Sequence, residues 1–217
     1  MAEHSHIVVL LGPDGSGKST VADLLVDLLE KDGLTAHHYP HRFGVLPALS
    51  SMIPKRSARG DAGECDQKEQ VPAYDLKENS VVRSLIYVGW YGLDYLVGGL
   101  VMRLRSPFRS KNYVAVFARY YYDYYYQSNN RKLPDSVKRL IEVVVPRPSA
   151  IFFLDRCPED IHSGKPELPV DEIVRQQQKI QYVMARYPQY QVIDARKGAS
   201  ETAEAIYQIL KNQWALN

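Results

Sequence analysis

Cysteine is almost missing from this chain: Cys65 and Cys157 are the only two in 217 residues. They stand far apart and without partners at metal-ligand spacing. That excludes a disulfide framework and a cysteine-built zinc site, and it predicts reduced thiols and a cytoplasmic protein. An excess of one charge is missing too. Twenty-seven Lys and Arg stand against 25 Asp and Glu, a net charge of +2, which is no electrostatic signature of nucleic-acid binding. Repeats and low-complexity tracts are absent, which excludes solenoids and disordered arrays. The start, Met-Ala-Glu-His-Ser-His, runs straight into the first apolar segment and leaves no room for a signal peptide. The most apolar region, Val81 to Leu104, is interrupted by Arg83, Asp94 and Arg103. Its longest uncharged stretch is too short to span a bilayer, so it predicts a long core helix and no stable membrane insertion. His4, His6, His37, His38 and His41 fit no compact zinc spacing.

What is present is a phosphate-binding signature. Gly12-Pro13-Asp14-Gly15-Ser16-Gly17-Lys18-Ser19-Thr20 fits G-x-x-x-x-G-K-[ST]. Before it, Ile7 to Leu11 is an apolar, β-branched run that reads as a buried strand. After it, Val21, Leu24, Leu25 and Leu28 recur at helical spacing, and Gly33 supplies a stop. Strand, glycine-rich turn and helix together make a cradle in which backbone N–H groups close around an anion at a helix N-terminus. Lys18 is expected to reach the β- and γ-phosphates of a nucleoside triphosphate, and the Ser19 hydroxyl to ligate Mg²⁺.

Four further strands are expected: Thr35–Tyr39, Tyr113–Phe117, Ala150–Leu154 ending at Asp155, and Tyr190–Ile193 ending at Asp194. Helices are expected over about Asn79–Leu104, over Val170–Tyr187 and from Ser200, a candidate N-cap. Strands alternating with helices imply a parallel sheet with right-handed crossovers, about five strands wide. The fold class is therefore a three-layer α/β domain over 1–217, with a polar loop at 54–72. Active groups should gather at the carboxyl ends of the strands.

Polar clusters follow those ends. His41 and Arg42 come after the second strand, Arg119 and the run from Tyr120 to Tyr126 after the third, Asp155 and Arg156 after the fourth, Arg196 and Lys197 after the fifth. Arg119 and Arg42 are candidates for gripping an acceptor phosphate, since strand-end arginines suit bidentate recognition. Tyr121 or Tyr122 is the candidate ring for stacking on the acceptor, against the alternative that the run packs with its hydroxyls satisfied at the surface. Asp123 is a candidate base or ligand for the acceptor hydroxyl, against the alternative of a helix-start carboxylate. Lys165, in a charged loop bearing Gly and Pro, is a candidate lid residue over about 156–169.

The order of these elements resembles the thymidylate kinase family of P-loop nucleoside monophosphate kinases. The carriers are the phosphate loop, Arg119-Tyr120 where that family has Asp-Arg-Tyr, Leu154-Asp155-Arg156-Cys157-Pro158-Glu159 leading into the lid, and Val192-Ile193-Asp194-Ala195 with Ser200-Glu201. The tyrosine-rich segment and Lys165-Pro166-Glu167-Leu168 are similar to a divergent branch found among surface-polysaccharide genes. The resemblance implies a P-loop NTPase fold, ATP and Mg²⁺ as cofactors, and a (deoxy)nucleoside monophosphate or other small acceptor. It also implies Arg196 beside the adenine and a homodimer through the long apolar helix. Two positions depart from the family: Ala118 replaces its Asp, and Gly164 replaces its lid Arg. Arg156, Lys165 or Arg196 is then expected to supply the missing positive charge, and Asp123 or Asp155 to serve the metal. Three outcomes stay open: a nucleotide kinase, a kinase of a sugar or polysaccharide precursor, and a nucleotide-binding regulator without turnover.

Overall fold

The computed structural model describes residues 6–47, 49, 79–104 and 112–214. The expected polar loop at 54–72, Cys65 and His4 lie outside them. Five strands form one all-parallel sheet: β1 (His6–Leu11), β2 (Thr35–Tyr39), β3 (Tyr113–Phe117), β4 (Ala150–Asp155) and β5 (Tyr190–Asp194). Their spatial order is β2-β3-β1-β4-β5. Register is continuous across the centre, Val9 pairing with Phe117 on one side and Ile151 on the other. Helices cover both faces, so the strands read as unbroken apolar runs.

One face carries α1 (Lys18–Lys31) and α7 (Ala199–Trp214). Val8 and Leu10 of β1 meet Val21, Leu25 and Leu29 of α1 and Ile206 and Leu210 of α7 there. The opposite face, carrying Ile7, Val9 and Leu11, receives the tyrosine segment, α2 (Val81–Leu104) and α6 (Val170–Met184). Between β3 and β4 run α3 (Asp123–Tyr126), a 3₁₀ turn (Ser128–Asn130) and α4 (Asp135–Glu142). A short helix, α5 (Pro158–Gly164), follows β4. α1 ends where Gly33 takes φ +80° and donates to Glu30, a left-handed stop that costs other residues strain.

Three expectations about helices change. α6 stops at Met184, with Tyr187 in the following turn. Ser200 lies inside the first turn of α7 and does not cap it; Thr202 instead donates through Oγ1 to the Gly198 carbonyl at 2.6 Å. The long apolar helix is core on one side alone. Ser84, Val88, Asp94, Tyr95 and Met102 are buried, while Val82, Leu85, Ile86, Leu93 and Leu100 are exposed. By length and composition Val81–Met102 could cross a membrane, contrary to the estimate from uncharged runs, because one buried Asp and one Arg within 22 residues lower its mean hydropathy little. Glycines let α2 lie close to its neighbours. A Cβ on Gly98 would sit 2.3 Å from the Phe43 ring, and one on Gly92 2.5 Å from Ile141.

Candidate active site

The phosphate loop leaves the carboxyl end of β1, the central strand, and turns into α1. Gly15 and Gly17 adopt φ +91° and +90°, a region costly to residues with a Cβ. At Gly15 space is short as well, since a Cβ there would press Lys165 Cβ at 3.1 Å and Ile161 Cγ2 at 3.2 Å. Gly12 admits the loop's own fold: a Cβ there would stand 2.4 Å from Ser16 Oγ. That hydroxyl is buried and has no hydrogen-bond partner among the described residues. A buried orphan hydroxyl inside a loop whose carbonyls already hold a lysine is what an anion cradle presents before its ligand arrives.

Lys18, almost wholly buried, donates through Nζ to the carbonyls of Gly12 and Pro13, both at 2.7 Å. Burial pulls its pKa down, and Asp14 and Asp123 counter that only in part. Asp14 Oδ1 lies 3.8 Å from Lys18 Nζ and accepts from Arg119 Nη2 at 2.6 Å. Burial raises the Asp14 pKa, but Lys18 and Arg119 outweigh it and hold the carboxyl below its usual range. Asp123 sits beneath this pair, 5% exposed. Burial lifts its carboxyl to about 6 against the pull of Lys18, Arg119 and the Tyr126 hydroxyl, which donates to it at 2.6 Å. The same hydroxyl reaches the Gly12 carbonyl at 3.3 Å and so ties α3 to the loop.

A cleft of about 380 Å³ opens over these groups, lined by Asp14, Gly15, Gly17, Lys18, Ser19, Thr20, Ala118, Arg119, Arg156, Gly164 and Lys165. The structure thus brings Asp14, Gly15, Gly17, Lys18, Ser19 and Thr20 of the expected loop together with Arg119, and α5 delivers Lys165, while Gly12 and Ser16 lie behind the lining. Lys165 pairs with Glu167 at 3.1 Å and remains half exposed. Beneath it, Ile161 packs on Leu168 and Ile173, a small separate core that seats α5 beside the loop. Of the three cations expected to replace the missing lid arginine, Arg156 and Lys165 line the cleft. Arg196 does not. Its guanidinium is forked onto Asp194, with Nε to Oδ1 and Nη2 to Oδ2 both at 2.8 Å, in open solvent at the end of β5.

Asp155 is not brought to the cleft either. It is exposed at the end of β4 beside Asp194, and its field is felt by Tyr190 and Arg196. The carboxylates near Lys18 are Asp14 and Asp123. Tyr121 and Tyr122 also depart from expectation, being 0% and 3% exposed. The Tyr121 hydroxyl donates to the Lys138 carbonyl at 2.8 Å, and the Tyr122 ring packs on Tyr187, on the far side of the segment.

The partly exposed ring of the run is Tyr124, stacked at 6.1 Å on Tyr91 of α2. Arg42 lies over that Tyr91 ring, 4.4 Å from its centroid. Arg42 is held there by the Leu46 carbonyl at 3.2 Å and by Asp94 at 3.7 Å. Asp94, fully buried, also accepts from the Gly44 and Leu46 amides at 3.0 and 2.6 Å, which fixes the loop after β2. Sequence reasoning missed Tyr91, Asp94, Tyr124 and Tyr126. Only Asp94 carried a signal, as the one acid in an apolar helix; nothing in a run of tyrosines marks which ring faces which way. No protein-family model matches the chain, and no curated protein matches it.

Proposed function

We propose that this protein is an ATP-dependent phosphotransferase of the thymidylate kinase-like type, moving the γ-phosphoryl of Mg-ATP to a small acceptor, a (deoxy)nucleoside monophosphate. The observation that carries the reading is the convergence of Lys18, Arg119, Arg156 and Lys165 on one cleft at the end of the central strand. Four cations around a glycine cradle suit a polyphosphate better than any neutral ligand.

ATP with Mg²⁺ would supply the phosphoryl group and much of the charge neutralisation. Within the chain, the loop amides and Lys18 would bind the phosphates, releasing Lys18 from the Gly12 and Pro13 carbonyls. Ser19, exposed in the first turn of α1, would offer its hydroxyl to the metal. Mg²⁺ keeps most of its waters and phosphate oxygens as ligands, so one hydroxyl satisfies its demand on the protein. Arg119 would grip the acceptor phosphate, and Tyr124, Tyr91 and Arg42 form a shelf for a flat base. Asp123 takes the place that Ala118 leaves without a carboxylate, orienting the acceptor through Arg119 and Tyr126. Positioning and charge neutralisation then carry catalysis, with little call for a strong base.

The test is ADP formation from Mg-ATP across nucleoside monophosphates, sugars and sugar phosphates, with Lys18→Ala as the blank. Acceptor-dependent ADP release is expected. ATP binding with no acceptor-dependent turnover would favour the second reading, a nucleotide-binding regulator, which the uncharged Ala118 and Gly164 in the cleft lining support.

A further inference from the structure

A second cavity, about 410 Å³, lies at the other end of the sheet, lined by Tyr122, Arg139, Glu142, Val143, Val145, Arg147, Arg186, Tyr187, Pro188 and Gln189. Arg147 precedes β4 and Tyr187 precedes β5, so the cavity opens at the amino ends of the strands, while the phosphate loop follows a carboxyl end. The volume falls in the range of small-ligand sites. Three arginines stand against one glutamate, and that glutamate is already taken. Glu142 accepts from Arg186 at 3.2 Å, from Tyr125 at 2.5 Å, and from the Tyr187 hydroxyl. Arg139 and Arg147 have no carboxylate partner among the described residues and are exposed. Tyr122, 3% exposed, lines the cavity, and its hydroxyl has no hydrogen-bond partner among the described residues. Its ring and that of Tyr187 meet at 5.2 Å beside Val143, Val145 and Pro188, giving an apolar wall under two free guanidinium groups.

Two unpaired guanidinium groups beside an aromatic wall and a free hydroxyl recognise a phosphate carried on a flat ring. We infer that this cavity binds a nucleoside monophosphate, its phosphate between Arg139 and Arg147 and its base against Tyr187 and Pro188, with the Tyr122 hydroxyl at its edge. The site is separate from the phosphate cleft and does not rest on the phosphotransferase reading.

The experiment is photolabelling of the whole protein with 8-azidoadenosine 5′-monophosphate. The readout is the tryptic peptide 187–196, whose flanking cleavage sites the variants leave intact. Saturable label in that peptide is expected, with protection by AMP and much weaker protection by equal inorganic phosphate. Arg139→Ala/Arg147→Ala should cut the label about tenfold, and Tyr122→Phe should cut it less. Lys18→Ala should leave it unchanged. The proposal is overturned if this peptide takes no saturable label or if the arginine pair makes no difference to it. Equal protection by inorganic phosphate would also sink it, since the ring would then contribute nothing. Unchanged thermal melts in the exposed arginine variants separate lost binding from lost folding.

Discussion

Arg119 and Asp14 meet at 2.6 Å, Nη2 to Oδ1, across 105 residues of sequence. The same carboxylate oxygen stands 3.8 Å from Lys18. One acid therefore holds two cations together at the glycine-rich loop. Without the pairing, Arg119 and Lys18 would repel each other across the loop.

On the phosphotransferase proposal, an anion in the cradle would take over the work of the Gly12 and Pro13 carbonyls. Lys18→Ala should therefore abolish measurable ATP binding, a loss of at least about a hundredfold in calorimetry. Arg119→Ala should leave ATP affinity within about threefold and raise the acceptor KM strongly. Wild-type ATP affinity in Lys18→Ala would contradict the phosphate-loop reading.

Asp123 sets a pH dependence. Burial holds its folded carboxyl's proton up to about 6, while an ordinary aspartate carboxyl releases one near 3.8. The unfolded chain is therefore the first to lose its proton as pH rises, and stability from this group, fully present below pH 4, falls away through pH 6. The difference is on the order of 3 kcal/mol. Urea titrations from pH 4 to 7 should show this decline in the wild type and a flatter course in Asp123→Asn. In the same range kcat/KM should rise as Asp123 ionises, and the variant should lose that limb.

Ala118→Asp puts back the carboxylate that the family resemblance leads one to expect. Asp14 and Asp123 already act on Lys18, so a third acid at position 118 adds repulsion beside them. Phosphoryl transfer should stay level or fall. A gain of about tenfold would show that Asp123 does not do this work.

Asp94 holds the loop that presents Arg42 to Tyr91. Asp94→Ala strips the Gly44 and Leu46 amides of their acceptor and frees Arg42. A stability loss of about 2–3 kcal/mol is expected in chemical denaturation, with acceptor KM raised and ATP affinity retained. Equal loss of both affinities would mean that the loop supports the entire site.

Glu172, nearly buried at the start of α6, gathers Ser128 at 2.6 Å, Arg131 at 3.0 Å, Gln176 at 2.9 Å and Arg175. Burial resists its charge, yet the hydrogen bonds from Arg175, Ser128 and Gln176 hold the carboxyl down at about 2. Its contribution is present above pH 4.5 and is lost as pH falls toward 2. Allowing for the solvent around its half-exposed arginines, Glu172→Gln should cost about 2 kcal/mol at pH 7 and nothing near pH 2.

The sequence by itself determined the parallel sheet, its five strands and the glycine-rich turn between β1 and α1. These depend on local features: unbroken β-branched runs, glycines where φ is positive, and a helix stripe beginning at Lys18. Which strand-end residues share the cleft was decided only by the tertiary structure. Asp123 and Tyr126, three apart, fall on one side of α3 and face the loop, while Tyr121, Tyr122 and Tyr125 are carried into the core behind it. Asp155 and Arg196 follow strands as Arg119 does, yet β4 and β5 point them toward one another at the sheet's edge. Composition cannot show such directions, since they arise from the turn of a helix and the packing of a neighbour.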